Sequence, residues 1–268
     1  MSKSKIFSLF EEFSAEQKAE LEVERTLNSD ALLVDGMNTF MRVWSMYPTT
    51  NENGDHIGGY TGFLKSIGHA IRLRKPTRCI VVFDGKGGSS RRRKIFPEYK
   101  MKKNVRFRVN RALSLDMDQN EESSSMKYQI VKLIEYLNLL PVTTICMDNV
   151  EADDVMALLA RSYYSGLGKK CTIMSTDKDF LQLVDDDVTV YSPTKRTVYT
   201  PEKVSLEYGI HPSNFLLYRT IDGDRGDNID GMKGVGEKKL KSAFPELSTS
   251  KKLSVNDLCK ISEERKKE

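Results

Sequence analysis

The chain has 268 residues, 39% of them hydrophobic and 30% charged, with a formal net charge of +4. That length can bury a substantial core in one large domain with appendages, and no apolar run approaches the roughly eighteen residues that a membrane-spanning helix needs. The N-terminal MSKSKIFSLFEEF has an acidic pair where a secretory signal would need an unbroken apolar stretch, which leads us to expect a cytoplasmic protein with no membrane association. In chain order, residues 1–29 predict a separate helical extension, with SAEQ at 14–17 resembling a capping box ahead of KAELEVERTL. Short apolar runs rich in β-branched residues then predict strands at ALLV (31–34), CIVVF (79–83), VTTICM (142–147), CTIMS (171–175) and VTVYS (188–192). Between them, GYTGFLKSIGHAIRLR, KYQIVKLIEYLNLL, EADDVMALLARSYYSG and KDFLQLV have helical period, the third capped by Asp148 or Asn149 and stopped by Gly166. Strands apolar on both faces, alternating with helices, predict an α/β domain with a central, mostly parallel sheet flanked by helices.

Cys79, Cys146 and Cys171 lie inside these strand-like runs and no two cysteines form a CxxC pair, so they read as reduced core residues. None of the three histidines stands at ligand spacing from a cysteine or another histidine, which argues against zinc. Charge is unevenly spread: from Lys86 to Arg111 there are eleven Lys or Arg against one acid, Glu98, with Phe96, Tyr99 and Phe107 interleaved. Such a run is either a solvated charged face or a surface for phosphates and bases.

The acids follow the strands. Asp35 comes directly after ALLV, Asp84 after CIVVF, Asp148 after TICM, and Asp177 with Asp179 after TIMS, while Glu151, Asp153 and Asp154 crowd one helix start. An acidic first turn is favoured by the macrodipole of any helix, and a lone Asp after a strand is common in turns. Repetition at four strand ends is different, because the carboxyl ends of parallel strands border one crevice. Carboxylates packed there cannot all ionise without a compensating cation: either several are protonated or metal is bound. An all-oxygen set selects hard ions, Mg²⁺ or Mn²⁺. Downstream, IDGDRGDNIDGMKGVGEKK (221–239) adds Asp224 and Asp227, then a glycine-rich turn resembling a helix-hairpin-helix, where exposed backbone N–H groups with Lys238 and Lys239 can grip phosphate.

LLVDGMN, VVFDGKG, FPEYKMKK, VEADDVMA, MSTDKDFLQL and GDRGDNIDGMKGVGEKK, in this order from about Leu32 to Lys239, resemble the flap endonuclease and 5′–3′ exonuclease superfamily, most closely its phage 5′-nucleases. The resemblance implies a PIN-like nuclease domain over 30–222 with a basic arch at about 86–125, and a helix-hairpin-helix region over 223–268. It also implies a two-metal phosphodiesterase, with RNase H-like activity, that removes RNA primers or 5′ flaps from replicating DNA, acting in host cytoplasm if phage-encoded. By the same resemblance one Mg²⁺ would be held by Asp35, Asp84 and Asp153, and a second by Asp177, Asp179 and Asp227 with Asp153 bridging. Glu151, Asp154 and Asp224 would hold metal-bound waters. Lys100 and Lys103 would stand beside the scissile phosphate, with Mn²⁺ able to substitute for Mg²⁺. Arg91, Arg92, Arg93, Lys94 and Lys102 of the arch would contact the 5′ strand; Gly234, Gly236, Lys238 and Lys239 would hold the duplex, with K⁺ at the hairpin carbonyls. Partners would be DNA with a 5′ flap, a nick or an RNA primer, acted on by a monomer, with a sliding clamp and a single-strand-binding protein as further contacts. Ile6, Leu9, Phe10 and Phe13 fit a helix docked on its own core, a clamp motif being the alternative. The chain ends about thirty residues past Lys239, earlier than the family pattern. An RNA endonuclease of the PIN type would lack the GDRGDN segment and the arch, and a non-catalytic DNA-structure binder would lose acids that are all present here.

Overall fold

A computed structural model describes residues 30–101 and 117–266. The expected extension over 1–29 with its apolar spacing, and Lys102, Lys103 and Phe107 of the basic segment, lie outside the described residues.

The centre is a six-stranded sheet made of β1 (Ala31–Asp35), β2 (Arg78–Asp84), β3 (Thr143–Met147), β4 (Cys171–Met174), β5 (Val188–Ser192) and β6 (Thr197–Tyr199). The spatial order is β3-β2-β1-β4-β5-β6, with every pair parallel except β5 and β6. Five strands coincide with the predicted runs. The sixth is only three residues, too short for a period to show, and pairs antiparallel with β5.

Period-two alternation sends the two sides of each strand into two separate cores. Leu33, Ile80, Val82, Ile173 and Val190 pack on one face with Val155, Met156 and Phe215. Leu32, Val34, Val81, Met174 and Tyr191 pack on the other with Phe40, Trp44, Phe63 and Leu133. Fully burying a side chain of this kind contributes about 1.5–3 kcal/mol, so the double cover fixes register strongly. At the sheet edge the cover ends. β3 is largely exposed, and with it Cys146, which corrects its expected place in the core; Cys79 and Cys171, on covered strands, are buried.

The helices are α1 (Gly36–Met46), α2 (Gly58–Arg74), α3 (Ser90–Ile95), α4 (Gln119–Leu137), α5 (Ala152–Leu158), α6 (Pro201–Tyr208), α7 (Phe215–Asp222), α8 (Glu237–Ala243) and α9 (Val255–Arg265). α4 begins at Gln119 rather than Lys127, because Asp118 and Glu121 form a reciprocal capping box ahead of a polar first half that carries no apolar signal. The predicted helix over 151–166 is broken: α5 gives way to a π-helical turn at Leu159–Tyr164 and a 3₁₀ turn at Ser165–Leu167, and the left-handed residue that ends it is Gly168, not Gly166. KDFLQLV forms a 3₁₀ helix, Lys178–Leu183, in place of an α-helix. Among the described residues no helix is long and apolar enough to cross a membrane.

Candidate active site

The sequence runs β1, β2, β3 to one side and then returns through β4 and β5 to the other. The order therefore reverses between β1 and β4, where a crevice opens at the carboxyl ends of the strands. Asp35 ends β1 and points into that crevice region as the N-cap of α1, accepting the Asn38 N–H at 3.0 Å. Its second oxygen accepts the Ser175 hydroxyl from the end of β4 at 2.8 Å. Asp84 ends β2 and accepts the Ala152 N–H at 2.8 Å. The first free N–H of α5 is thus satisfied from a neighbouring strand. Asp148 does not provide the expected cap: its side chain accepts the Lys86 N–H at 3.0 Å, and Asn149 takes a left-handed backbone, φ 62°, donating its N–H to the Lys86 carbonyl.

With α5 anchored on Asp84, its first turn delivers Asp153 to the middle of the group. Burial first, then the like charges of Asp35 and Asp177, raise Asp153 from 3.8 to about 7. Burial also raises Asp35 to about 6, against the Asn38 and Ser175 hydrogen bonds, with Asp177 and Asp84 adding to the rise. Asp177 is raised as well, by burial before any neighbour. Asp35, Asp84 and Asp177, from three other segments, thus lie near enough to act on the Asp153 charge.

Of the remaining expected acids, Glu151, Asp154, Asp179 and Asp224 are paired with cations of the chain. Glu151, 3% exposed, accepts the Tyr99 hydroxyl at 3.1 Å and the Lys100 ammonium at 2.9 Å on one oxygen; its other oxygen is buried without a hydrogen-bond partner, 3.6 Å from Arg92. Burial pulls the Lys100 ammonium down, and the Glu151 hydrogen bond with the charges around it outweighs this and raises it. Lys100 adopts a left-handed backbone, φ 48°, and its N–H donates to the Asp227 carbonyl at 3.1 Å. Asn228 donates its side-chain amide to the Glu98 carbonyl at 3.1 Å, so the GDRGDN loop holds the Lys100 turn in place. Asp227 is raised by burial, which the nearby Lys100 opposes.

Asp154 lies outside this cluster, bound by both terminal nitrogens of Arg92 at 2.7 Å. Arg92, expected to face DNA phosphate, is engaged with that carboxylate; Arg91, Arg93 and Lys94 of α3 are exposed. Tyr99, expected as an open aromatic, is buried at 6%, and Lys100 and Arg92 lie 5.3 and 5.8 Å from its ring centre. Asp179 and Asp224 share Arg219, a residue the sequence reading missed, whose only signal was its place one helical turn before GDRGDN. Its Nε donates to Asp179 at 2.7 Å and another nitrogen binds Asp224.

The glycine-rich turn follows α7. Asp224 and Ile229 form an antiparallel bridge, and a side chain on Gly231 would stand 2.1 Å from the Asp222 carbonyl, so only glycine lets the two legs touch. Gly234 is left-handed, φ 79°, and accepts the Lys239 ammonium on its carbonyl at 3.1 Å. Gly236, Lys238 and Lys239 are exposed at the start of α8. These residues stand on the glycine-rich turn and at the start of α8.

As the side chains stand, no three acids among the described residues close on one point to enclose an ion. The donor set itself fits a hard divalent cation. It is all carboxylate, its central members are held partly neutral by burial and mutual repulsion, and one Glu151 oxygen is orphaned.

Fold and site together define a class: a resolvase-like α/β domain with an acidic crevice at the sheet's switch point and a basic flank. The chain belongs to the family of the 5′–3′ exonuclease N-terminal resolvase-like domain, whose model matches residues 30–209. It is 31% identical over 207 residues to a 5′–3′ exonuclease of Aquifex aeolicus, covering 77% of this chain and 65% of that protein, so it spans just under two thirds of that relative. A 5′–3′ exonuclease of Buchnera aphidicola from Schizaphis graminum is 26% identical over 232 residues, 86% of this chain and 75% of that protein. Among solved structures, the bacteriophage T5 flap endonuclease in a complex with DNA and metal ions aligns with a TM-score of 0.66 at 20% identity, over 89% of this chain and 85% of that one, a likeness of fold.

Proposed function

We propose that the chain is a divalent-metal-dependent 5′ nuclease that hydrolyses phosphodiesters of 5′ flaps or RNA primers on duplex DNA. The observation that carries this reading is the mutual charge effect among Asp35, Asp84, Asp153 and Asp177 at the ends of the central strands, where burial and repulsion raise Asp153 to about 7 and Asp35 to about 6. Capping uses one oxygen of Asp35 and of Asp84, but the burial and mutual repulsion of the group cost free energy that a bound cation would offset. Membership of the exonuclease family and the basic residues bordering the crevice support phosphodiesters as substrate.

Asp35, Asp84 and Asp153 would hold one Mg²⁺, and Asp177, Asp179 and Asp227 a second, with Asp153 common to both sets. When bound, the pair of ions supplies an activated water and a positive field for the departing oxygen. The chain's own part is positioning and charge. Lys100, fixed by Glu151 and by the Asp227 carbonyl, would donate to a non-bridging phosphate oxygen; a donor aimed at developing charge typically contributes 10²–10³ in rate. Arg91, Arg93 and Lys94 on α3 would hold the 5′ strand, and Gly234, Gly236, Lys238 and Lys239 would grip duplex phosphates without reading sequence.

Labelled flap, nicked, RNA-primed and single-stranded substrates, incubated with Mg²⁺ and with EDTA, test the reading. Cleavage from the 5′ side of the branched or primed substrates that EDTA abolishes supports it. Equal cleavage of unstructured RNA points to an RNA endonuclease, and tight binding of branched DNA without Mg²⁺-dependent cleavage points to a structure-binding protein.

A further inference from the structure

Arg219 is the cation that the distal acids already have. It sits on α7, only 17% of its side chain exposed, with Nε on Asp179 at 2.7 Å, a second nitrogen on Asp224 and the third donating to the Gly223 carbonyl at 3.1 Å. Its guanidinium also lies near enough to lower Asp177, the acid that joins this group to Asp35 and Asp153. Every nitrogen of the fork is thus occupied, two of them on carboxylates and one on the backbone that carries Asp224. By contrast, among the described residues the hydrogen bonds to the Asp35, Asp84 and Asp177 side chains come from backbone N–H groups and the Ser175 hydroxyl, not from a charged side chain. The site therefore has two unlike halves: a proximal half on which Lys100 and Arg219 act only from a distance, and a distal half whose two carboxylates share one directly bonded guanidinium.

We infer that Arg219 is a built-in counter-cation for the distal carboxylates, which a divalent ion must displace or repel in order to load there. This rests on the metal-dependent reading above. A guanidinium and a divalent ion cannot share the same carboxylate oxygens without strong repulsion at a few ångströms. The proximal half then fills first, and the second ion enters only at higher concentration. Arg219 is a positioning residue: in the metal-free protein it keeps Asp179 and Asp224 apart from each other's charge and ordered for the ion that replaces it.

The test is Mn²⁺ binding to the full chain, followed by electron paramagnetic resonance of the free ion, on wild type, Arg219→Met and Arg219→Lys. Wild type is expected to show a tight and a weak class of ion. Arg219→Met keeps the aliphatic stem and removes the charge. Its weak class should tighten by about tenfold or more, the factor that about 1.4 kcal/mol of relieved repulsion brings, while the tight class stays within about twofold. Arg219→Lys keeps a cation and should leave the weak class near wild type, which also controls for a folding defect in the Met variant. An unchanged or weakened second class in folded Arg219→Met would overturn the inference and leave Arg219 as an orienting residue only. If wild type bound no Mn²⁺ at all, or bound it equally well after Asp153→Asn, the underlying metal-site reading would fall instead.

Discussion

Replacing Asp153 by Asn should make the metal-free protein more stable while removing its activity. The carboxyl rises from 3.8 to about 7 through burial and the nearby Asp35 and Asp177, and at about 1.4 kcal/mol per tenfold this puts up to about 4 kcal/mol of penalty on its charged form. The native carboxyl keeps its proton until about pH 7, whereas the unfolded one releases it near 3.8. Between those values the native state binds more protons, so stability falls as pH rises through the window and the loss is complete above it. Asn has nearly the same shape and no charge, so its advantage over wild type should widen by about 2–3 kcal/mol between pH 5 and pH 8 in EDTA. For a domain of this size that is a gain of roughly 4–12 °C in Tm at the higher pH. Chemical denaturation of both proteins at the two pH values, with EDTA and then with excess Mg²⁺, measures it. In Mg²⁺ the order should narrow or reverse, because only the wild type gains fully from the ion. A difference that is the same at pH 5 and pH 8, or an Asn variant less stable at pH 8 in EDTA, would refute the argument that burial and neighbouring carboxylates penalise the charged form of Asp153.

Three further outcomes follow from the same geometry. Lys100→Ala should lower turnover on flap DNA by about 10²–10³ with affinity nearly kept; it also leaves buried Glu151 without its ammonium, so a loss of about 1–3 kcal/mol in stability accompanies it, and single-turnover kinetics beside a denaturation curve separate the two. Reversing Arg91 and Arg93 to Glu, while sparing Arg92 because it holds Asp154, should weaken flap binding and flatten its dependence on salt; unchanged affinity at low salt would remove α3 from the DNA surface. Gly231→Ala drives a methyl to 2.1 Å from the Asp222 carbonyl and should destabilise by about 1–3 kcal/mol, read by thermal melting, with a larger loss in duplex binding than in binding of a single strand.

Much of the fold was readable because buried parallel strands need apolar residues on both faces, and that leaves continuous runs such as CIVVF and CTIM. Elements without that signature escaped: β6 is too short, α1 hides its buried Phe40, Val43 and Trp44 behind a single strand-end Asp, and α4 starts in a polar stretch. Caps were harder still. The first N–H of α5, that of Ala152, is satisfied by Asp84, 68 positions back, and local sequence cannot show a partner at that distance.

What the sequence by itself determined is the inventory and its order: acids at the ends of apolar runs, a basic stretch after Asp84, and glycines where backbone must touch backbone. Hydrophobic periodicity and strand-end position are local properties, so residues a few places apart carry them. Which acids face one another, and which are already neutralised, only the tertiary structure decided. Charge pairing acts over a few ångströms between segments far apart in the chain, as in Arg92 on Asp154, Lys100 on Glu151 and Arg219 on Asp179, and no spacing along the chain encodes it.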